Sequence, residues 1–137
     1  MPTGPRFPRL QDWLAWQEAL HPRSIELGLE RVRRVLARTG WRPPWQPVVT
    51  VGGTNGKGSV VAFLAAMLRA GGFRVGTFTS PHLLDYRERI RLDGTMVSEA
   101  SLVAAFERIA DALEGDSLTF FEFNTLAALL VFETAAP

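Results

Sequence analysis

The stretch Val48–Leu68, VVTVGGTNGKGSVVAFLAAML, restricts the fold more than any other part of the chain. Four consecutive β-favouring residues, Val48–Val51, show no polar and apolar alternation. That pattern predicts a strand covered on both faces, as in a parallel sheet. Glycines follow, and from Ser59 to Leu68 the residues Val60, Phe63, Leu64 and Met67 fall on one helical stripe. A second strand is expected at Arg74–Ser80, RVGTFTS, after Gly71 and Gly72. Strand, glycine loop, helix and strand in this order predict a right-handed parallel crossover. The fold class expected is therefore α/β, a P-loop NTPase-like parallel sheet flanked by helices.

The loop in that unit points to phosphate. Glycines between a strand and a helix let backbone N–H groups converge on an anion, and the helix N-terminus adds about half a positive charge. Lys57 adds a full charge at the helix start, where a cation opposes the helix dipole unless something negative sits beside it. A plain strand-to-helix turn explains the glycines and leaves Lys57 unexplained. Against the common phosphate-loop pattern GxxxxGK[ST], Val51 replaces the first glycine and Gly58 replaces the hydroxyl residue after the lysine. The candidate phosphate-binding residues are Gly53, Thr54, Asn55, Gly56, Lys57, Gly58 and Ser59.

Ahead of this unit, residues 1–47 read as N-terminal helices and a proline-rich linker, and 48–137 as a partial ATP-binding domain. Leu10, Trp13, Leu14 and Leu20 suggest a short helix over Leu10–Leu20. A second helix is expected from the Ser24 N-cap to Gly40, with Ile25, Leu29, Val32 and Leu36 as its apolar stripe. Its other face carries Arg31, Arg34 and Arg38, read as solvated. Three prolines in Trp41–Pro47 exclude regular structure there. The 137 residues contain no cysteine, which excludes disulfides and thiolate metal sites, and the net charge of +1 offers no case for nucleic acid. No apolar run reaches the roughly 20 residues of a membrane span, so the cytoplasm is the default location.

Beyond the loop, three further groups of residues carry possible chemistry. Ser80-Pro81-His82 closes the second expected strand, at the end of the sheet where open α/β folds bind ligands. Ser80 can present its hydroxyl to Mg²⁺, although an ordinary Ser-Pro turn accounts for the same residues; His82 either lines the site or satisfies a loop hydrogen bond. Arg87, Glu88 and Arg89 precede an expected hairpin, IRLDGTMV, with Asp93-Gly94 as its two-residue turn. These charges fit an exposed edge strand, and an arginine fork also suits a carboxylate or phosphate. A helix beginning at Ser98, with Leu102, Val103, Phe106, Ile109, Ala110 and Leu113 on its buried stripe, needs no chemistry to explain it. The last helix, about Phe120–Ala136, opens on Thr119-Phe120-Phe121-Glu122, a capping-box pattern. Its apolar surroundings predict that Glu122 is buried and requires a partner of opposite charge.

Gly53–Ser59, GTNGKGS, resembles the phosphate loop of the Mur ligase superfamily and in particular its folate branch, the folylpolyglutamate and dihydrofolate synthases. LGLERV at Leu27–Val32, TSPHL at Thr79–Leu83, RERI at Arg87–Ile90 and FFEFNT at Phe120–Thr125 extend the resemblance from about residue 24 to the end. The resemblance implies an ATP-dependent ligase that joins L-glutamate to dihydropteroate or a folate through an acyl phosphate, with Mg²⁺ accompanying ATP. It implies Gly53–Ser59 as the ATP-binding loop with Lys57 catalytic, Ser80 and Glu122 as magnesium ligands, and His82, Arg87 or Arg89 on the folate side of the site. It also implies a further strand, a glycine-rich segment with a carbamylated lysine and a metal-binding histidine, and a smaller C-terminal domain. On that reading this is the N-terminal part of the ATP-binding domain, a nucleotide-binding fragment expected to be inactive alone and prone to self-association, whereas its parent is a monomer. Another P-loop enzyme, such as a small-molecule kinase or a peptidoglycan-type ligase, is the alternative, and a non-catalytic nucleotide-binding module is a third.

Overall fold

The structure, a computed structural model, describes residues 4–21 and 28–136. It forms two compact units, one from the chain up to Arg42 with Glu99–Glu133, the other from Pro43–Ser98 with the last residues from Thr134. The expected Ser24 cap and Ile25 lie outside the described residues, as does Leu27.

The first unit is helical: α1 (Leu10–Leu20), α2 (Glu30–Thr39), α4 (Glu99–Ala112) and α5 (Phe120–Ala135). Trp13, Phe106 and Phe123 are fully buried at its centre, with ring centroids 5.8 Å apart for Trp13 and Phe106 and 5.6 Å for Phe106 and Phe123. Each such burial stabilises the fold by about 2–3 kcal/mol. The α4 stripe is buried as its periodicity predicts, apart from Val103, which is half-buried; α5 is buried on most sides. In α1 the buried set is Leu10, Trp13 and Gln17, with Leu14 and Leu20 half-buried. In α2 only Val35 is fully buried, whereas Leu29 is exposed. The expected stripe therefore faces the core only in part: Val32 and Leu36 are half-buried on either side of Val35, while Leu29 points out.

The arginine face of α2 is not simply solvated. Arg34 and Arg38 both reach Asp116 at 2.9 Å, and Arg38 also pairs with Glu114 at 2.9 Å. Arg38 Nη1 donates to the carbonyls of Ala112 and Leu113 at 3.2 and 2.8 Å. A cation at the C-terminal end of α4 satisfies carbonyls that the helix leaves open and complements its dipole. Gly40 ends α2 at φ 78°, the left-handed cap that glycine allows.

The second unit contains α3 (Lys57–Ala70) and a three-stranded sheet, β1 (Gly76–Phe78), β2 (Ile90–Leu92) and β3 (Thr95–Met96). The hairpin appears where Asp93-Gly94 predicts it, with φ of 52° and 81° at the two turn residues. Asp93 binds it to the chain before β1, accepting from the Val75 N–H through Oδ1 and donating its own N–H to the Val75 carbonyl, both at 2.7 Å.

The parallel crossover is not found among the described residues. β1 lies within the expected second strand, yet it pairs antiparallel with β2, Gly76 opposite Leu92 and Phe78 opposite Ile90. Val48–Val51 pairs with no strand, and Val48 and Val49 are 74% and 65% exposed. A strand covered on both faces requires strands at its edges, and no described segment supplies them. For the same reason Val60, Phe63 and Met67 of the α3 stripe remain exposed and Leu64 is only half-buried, with no residue of α3 fully buried. The architecture shown is α/β with a small antiparallel sheet.

Candidate functional site

The glycine loop ahead of α3 is built by two glycines in backbone regions that side chains disfavour. Gly53 has φ 146° and Gly56 has φ 78°, and Gly56 is the residue from which α3 begins. Helix α3 starts at Lys57, two residues before the expected Ser59, so Lys57, Gly58 and Ser59 form its first turn. Amides in a first turn have no partner within their helix and are available to an anion. Thr54, Asn55, Lys57, Gly58 and Ser59 are all exposed. Lys57 bends back over the loop, its Nζ donating to the Gly53 carbonyl at 2.6 Å. That contact holds the ammonium above the loop, and exchanging a neutral carbonyl for a phosphate oxygen there is favourable for a cation.

A cleft of about 400 Å³ lies between α3 and the sheet of the same unit. Gly58 of the loop and Ser80 both line it, together with Thr79, Thr77 and the arginines Arg69 and Arg91. The structure thus brings Ser80 and the glycine loop to one cavity. Ser80 is exposed and is joined to Pro81 by a cis peptide.

Glu122 belongs to the helical unit, and two roles read from its sequence meet there. The capping box is formed: Glu122 Oε1 accepts the Thr119 N–H at 2.9 Å, and Thr119 Oγ1 accepts the Glu122 N–H at 3.2 Å. The required partner of opposite charge is Arg31, whose Nη2 lies 2.7 Å from Oε2 with both side chains largely buried. Burial works to raise the Glu122 pKa, but the Arg31 hydrogen bond and the Thr119 N–H outweigh it and hold the carboxyl below its ordinary value. Arg31 is the residue of this site that sequence reasoning missed, having been assigned to a solvated face.

Arg87 and Arg89 are distinguished by burial. Arg87 is half-buried and pairs with Asp85 two residues earlier, Nη2 to Oδ2 at 2.9 Å. Arg89 is buried; its Nε donates to His82 Nδ1 at 2.8 Å and its guanidinium lies 5.6 Å from the centre of the Tyr86 ring. The bond to Nδ1 places the imidazole proton of neutral His82 on Nε2. Burial raises the Tyr86 hydroxyl well above its ordinary pKa, keeping it neutral. Glu88 makes no ligand-like contact. Its carboxylate accepts the N–H groups of Leu83, Leu84 and Asp85 at 3.1, 2.9 and 2.7 Å, which lower its pKa. Asp85 in turn accepts the Arg87 N–H, completing a capping box with Glu88. The signal for this was present as Asp85-x-x-Glu88, the same spacing as Thr119-x-x-Glu122.

No group of three or more His, Cys, Asp or Glu converges among the described residues. No described helix is long and apolar enough to cross a membrane.

No family model matches the chain. The dihydrofolate synthase/folylpolyglutamate synthase of Escherichia coli K12 is 46% identical over 126 residues, covering 92% of this chain and 30% of that enzyme. The Bacillus subtilis enzyme of the same name is 35% identical over 132 residues, 92% of this chain and 31% of its own length. Among solved structures, E. coli FolC in complex with DHPP and ADP has a TM-score of 0.90 at 44% identity, covering 96% of this chain and 32% of that one. The bifunctional enzyme of Yersinia pestis complexed with AMPPNP and a Mn ion has a TM-score of 0.88 at 45% identity over 97% of this chain and 33% of its own. The chain spans about three tenths of the length of the curated relatives it matches. At 46% and 35% identity to two such enzymes over 92% of its length, and with the same fold as their solved relatives, the chain belongs to the dihydrofolate synthase/folylpolyglutamate synthase family.

Proposed function

We propose that this chain is the ATP-binding part of a ligase that adds L-glutamate to dihydropteroate or a folate in the cytoplasm. The observation that carries the reading is the single cleft lined by both Gly58 of the phosphate loop and Ser80. Related structures support it: one holds DHPP and ADP, and another Mn, AMPPNP and L-glutamate. In such a reaction the γ-phosphoryl group of ATP passes to a substrate carboxylate, giving an acyl phosphate and ADP. The glutamate amine then attacks the acyl carbon and phosphate leaves. This chemistry depends on positioning and charge neutralisation more than on a side-chain nucleophile.

In this scheme the amides of Gly53–Ser59 cradle the phosphates, and Lys57 releases the Gly53 carbonyl to neutralise the β- and γ-oxygens. Mg²⁺ suits the donors present, because it takes one or two protein oxygens and completes its shell with phosphate and water. Ser80 provides a hydroxyl exposed at the cleft. Glu122 provides a carboxylate held ionised, with lone pairs beyond those used by Thr119 and Arg31. When bound, the ion supplies charge neutralisation at the phosphates. His82 and Arg87, the less buried of the two arginines, are assigned to the folate side, where the Nε2–H of His82 is a donor for a substrate oxygen. We also propose that Val48–Val51 enters a parallel P-loop sheet when neighbouring strands are supplied, with 48–137 as the partial ATP-binding domain. Its exposed β-branched run leading directly into the loop supports that arrangement.

Calorimetry with Mg²⁺ and AMPPNP tests the assignment. Lys57→Ala is expected to weaken binding about 10- to 100-fold, the effect of removing a charged hydrogen bond to phosphate. Equal affinity in the variant removes Lys57 from the site. Glutamate-dependent ADP release by this chain alone is expected to be absent.

A further inference from the structure

We propose that Arg89 and Glu88 are positioning residues that fix the place of Ser80, rather than residues that touch the folate. The proposal rests on the reading of Ser80 as a metal ligand. Arg89 grips the chain on both sides of Ser80-Pro81: its carbonyl accepts the Thr79 N–H at 2.8 Å, and its side chain holds His82 at 2.8 Å. Glu88 takes the next three residues, its two carboxylate oxygens accepting the N–H groups of Leu83, Leu84 and Asp85. Every residue from Thr79 to Asp85 except Ser80 and Pro81 is therefore tied to Glu88 or Arg89.

Such a clamp is costly to explain as packing. Leu83 and Leu84 are 87% and 95% exposed, so burial does not hold this loop in place. Its order comes from charged hydrogen bonds, each roughly twice as strong as a neutral one. A metal ligand on a loop loses affinity if the loop wanders, since the ordering must then be supplied by the ion. Arg89 is moreover the buried member of the pair, stacked beside Tyr86 and occupied by His82, which suits a scaffold better than a hand extended to a ligand.

The test uses the intact chain and two measurements. In amide proton NMR spectra, Leu84 and Asp85 are expected downfield, the signature of a carboxylate acceptor, and Glu88→Gln is expected to shift them upfield. The second measurement is Mn²⁺ affinity in the presence of AMPPNP, read by electron paramagnetic resonance. Ser80→Ala is expected to weaken it while leaving the amide shifts of Leu84 and Asp85 unchanged. Glu88→Gln, which retains size and loses the charge, is expected to weaken it about three- to tenfold, the range for exposed charged hydrogen bonds. Arg89→Lys, which keeps the charge but not the Nε geometry, is expected to do the same, so that loss of fold in one variant does not decide the matter. If both variants shift the loop amides and leave Mn²⁺ affinity at the wild-type value while Ser80→Ala lowers it, the positioning role is overturned and the Ser80 assignment stands. If Ser80→Ala itself has no effect, the metal-ligand reading is overturned and this proposal with it.

Discussion

Glu122 shows how one carboxylate can carry two duties. Oε1 is committed to the Thr119 N–H and Oε2 to Arg31, so the side chain is a helix cap and half of a largely shielded ion pair before any ligand arrives. Substituting glutamine keeps the cap geometry and removes the charge. Glu122→Gln is therefore expected to destabilise the helical unit by about 1–3 kcal/mol, the cost of replacing a charged hydrogen bond to Arg31 with a neutral one at a partly shielded pair. Urea midpoints of the variant, of Arg31→Ala and of the double variant check this: the double variant is expected to cost less than the two single costs added. The capping box was legible in the sequence because Thr119 and Glu122 are three residues apart. Arg31 is 91 positions away from Glu122, and no local pattern pairs them.

Among the elements, the hairpin and α3 illustrate opposite outcomes. Asp93-Gly94 determines a tight turn through backbone geometry alone, and the turn forms where expected. Gly94 sits at φ 81°, and a methyl group added there would meet the Arg69 guanidinium. Gly94→Ala is expected to cost about 1–2 kcal/mol, the left-handed penalty, with Arg69 displaced. A lowered thermal midpoint measured against Gly72→Ala, where open space surrounds the position at φ 90°, separates the contact from the backbone strain. By contrast, α3 has the periodicity of a buried helix and no fully buried residue, because periodicity states which residues share a face and not what covers it.

At the scale of the whole molecule, the charges set an acid limit. Arg34 and then Arg38 hold the Asp116 carboxyl down at about 2, and Asp85, Glu88 and Asp93 are lowered by charged or backbone hydrogen bonds. A carboxylate whose folded pKa lies below its unfolded value stabilises the fold above the unfolded value, here 3.8 for aspartate, and loses that contribution as pH falls towards the folded one. Stability is therefore expected to begin to fall below about pH 5, as the unfolded chain takes up protons on these carboxyls, and to keep falling towards about 2. Denaturant unfolding across that range checks it, and Arg34→Ala is expected to move the lower limit upward by restoring Asp116 towards its ordinary value.

The sequence by itself determined the glycine loop ahead of α3, the hairpin turn, the capping box and the buried stripe of α4, all set by spacings of a few residues and by backbone preferences that act locally. Tertiary structure alone decided which strands pair, which arginine is buried and which charge answers Glu122. Those outcomes depend on chain segments far apart in sequence competing for the same neighbours, and on partners for Val48–Val51 that no described residue provides.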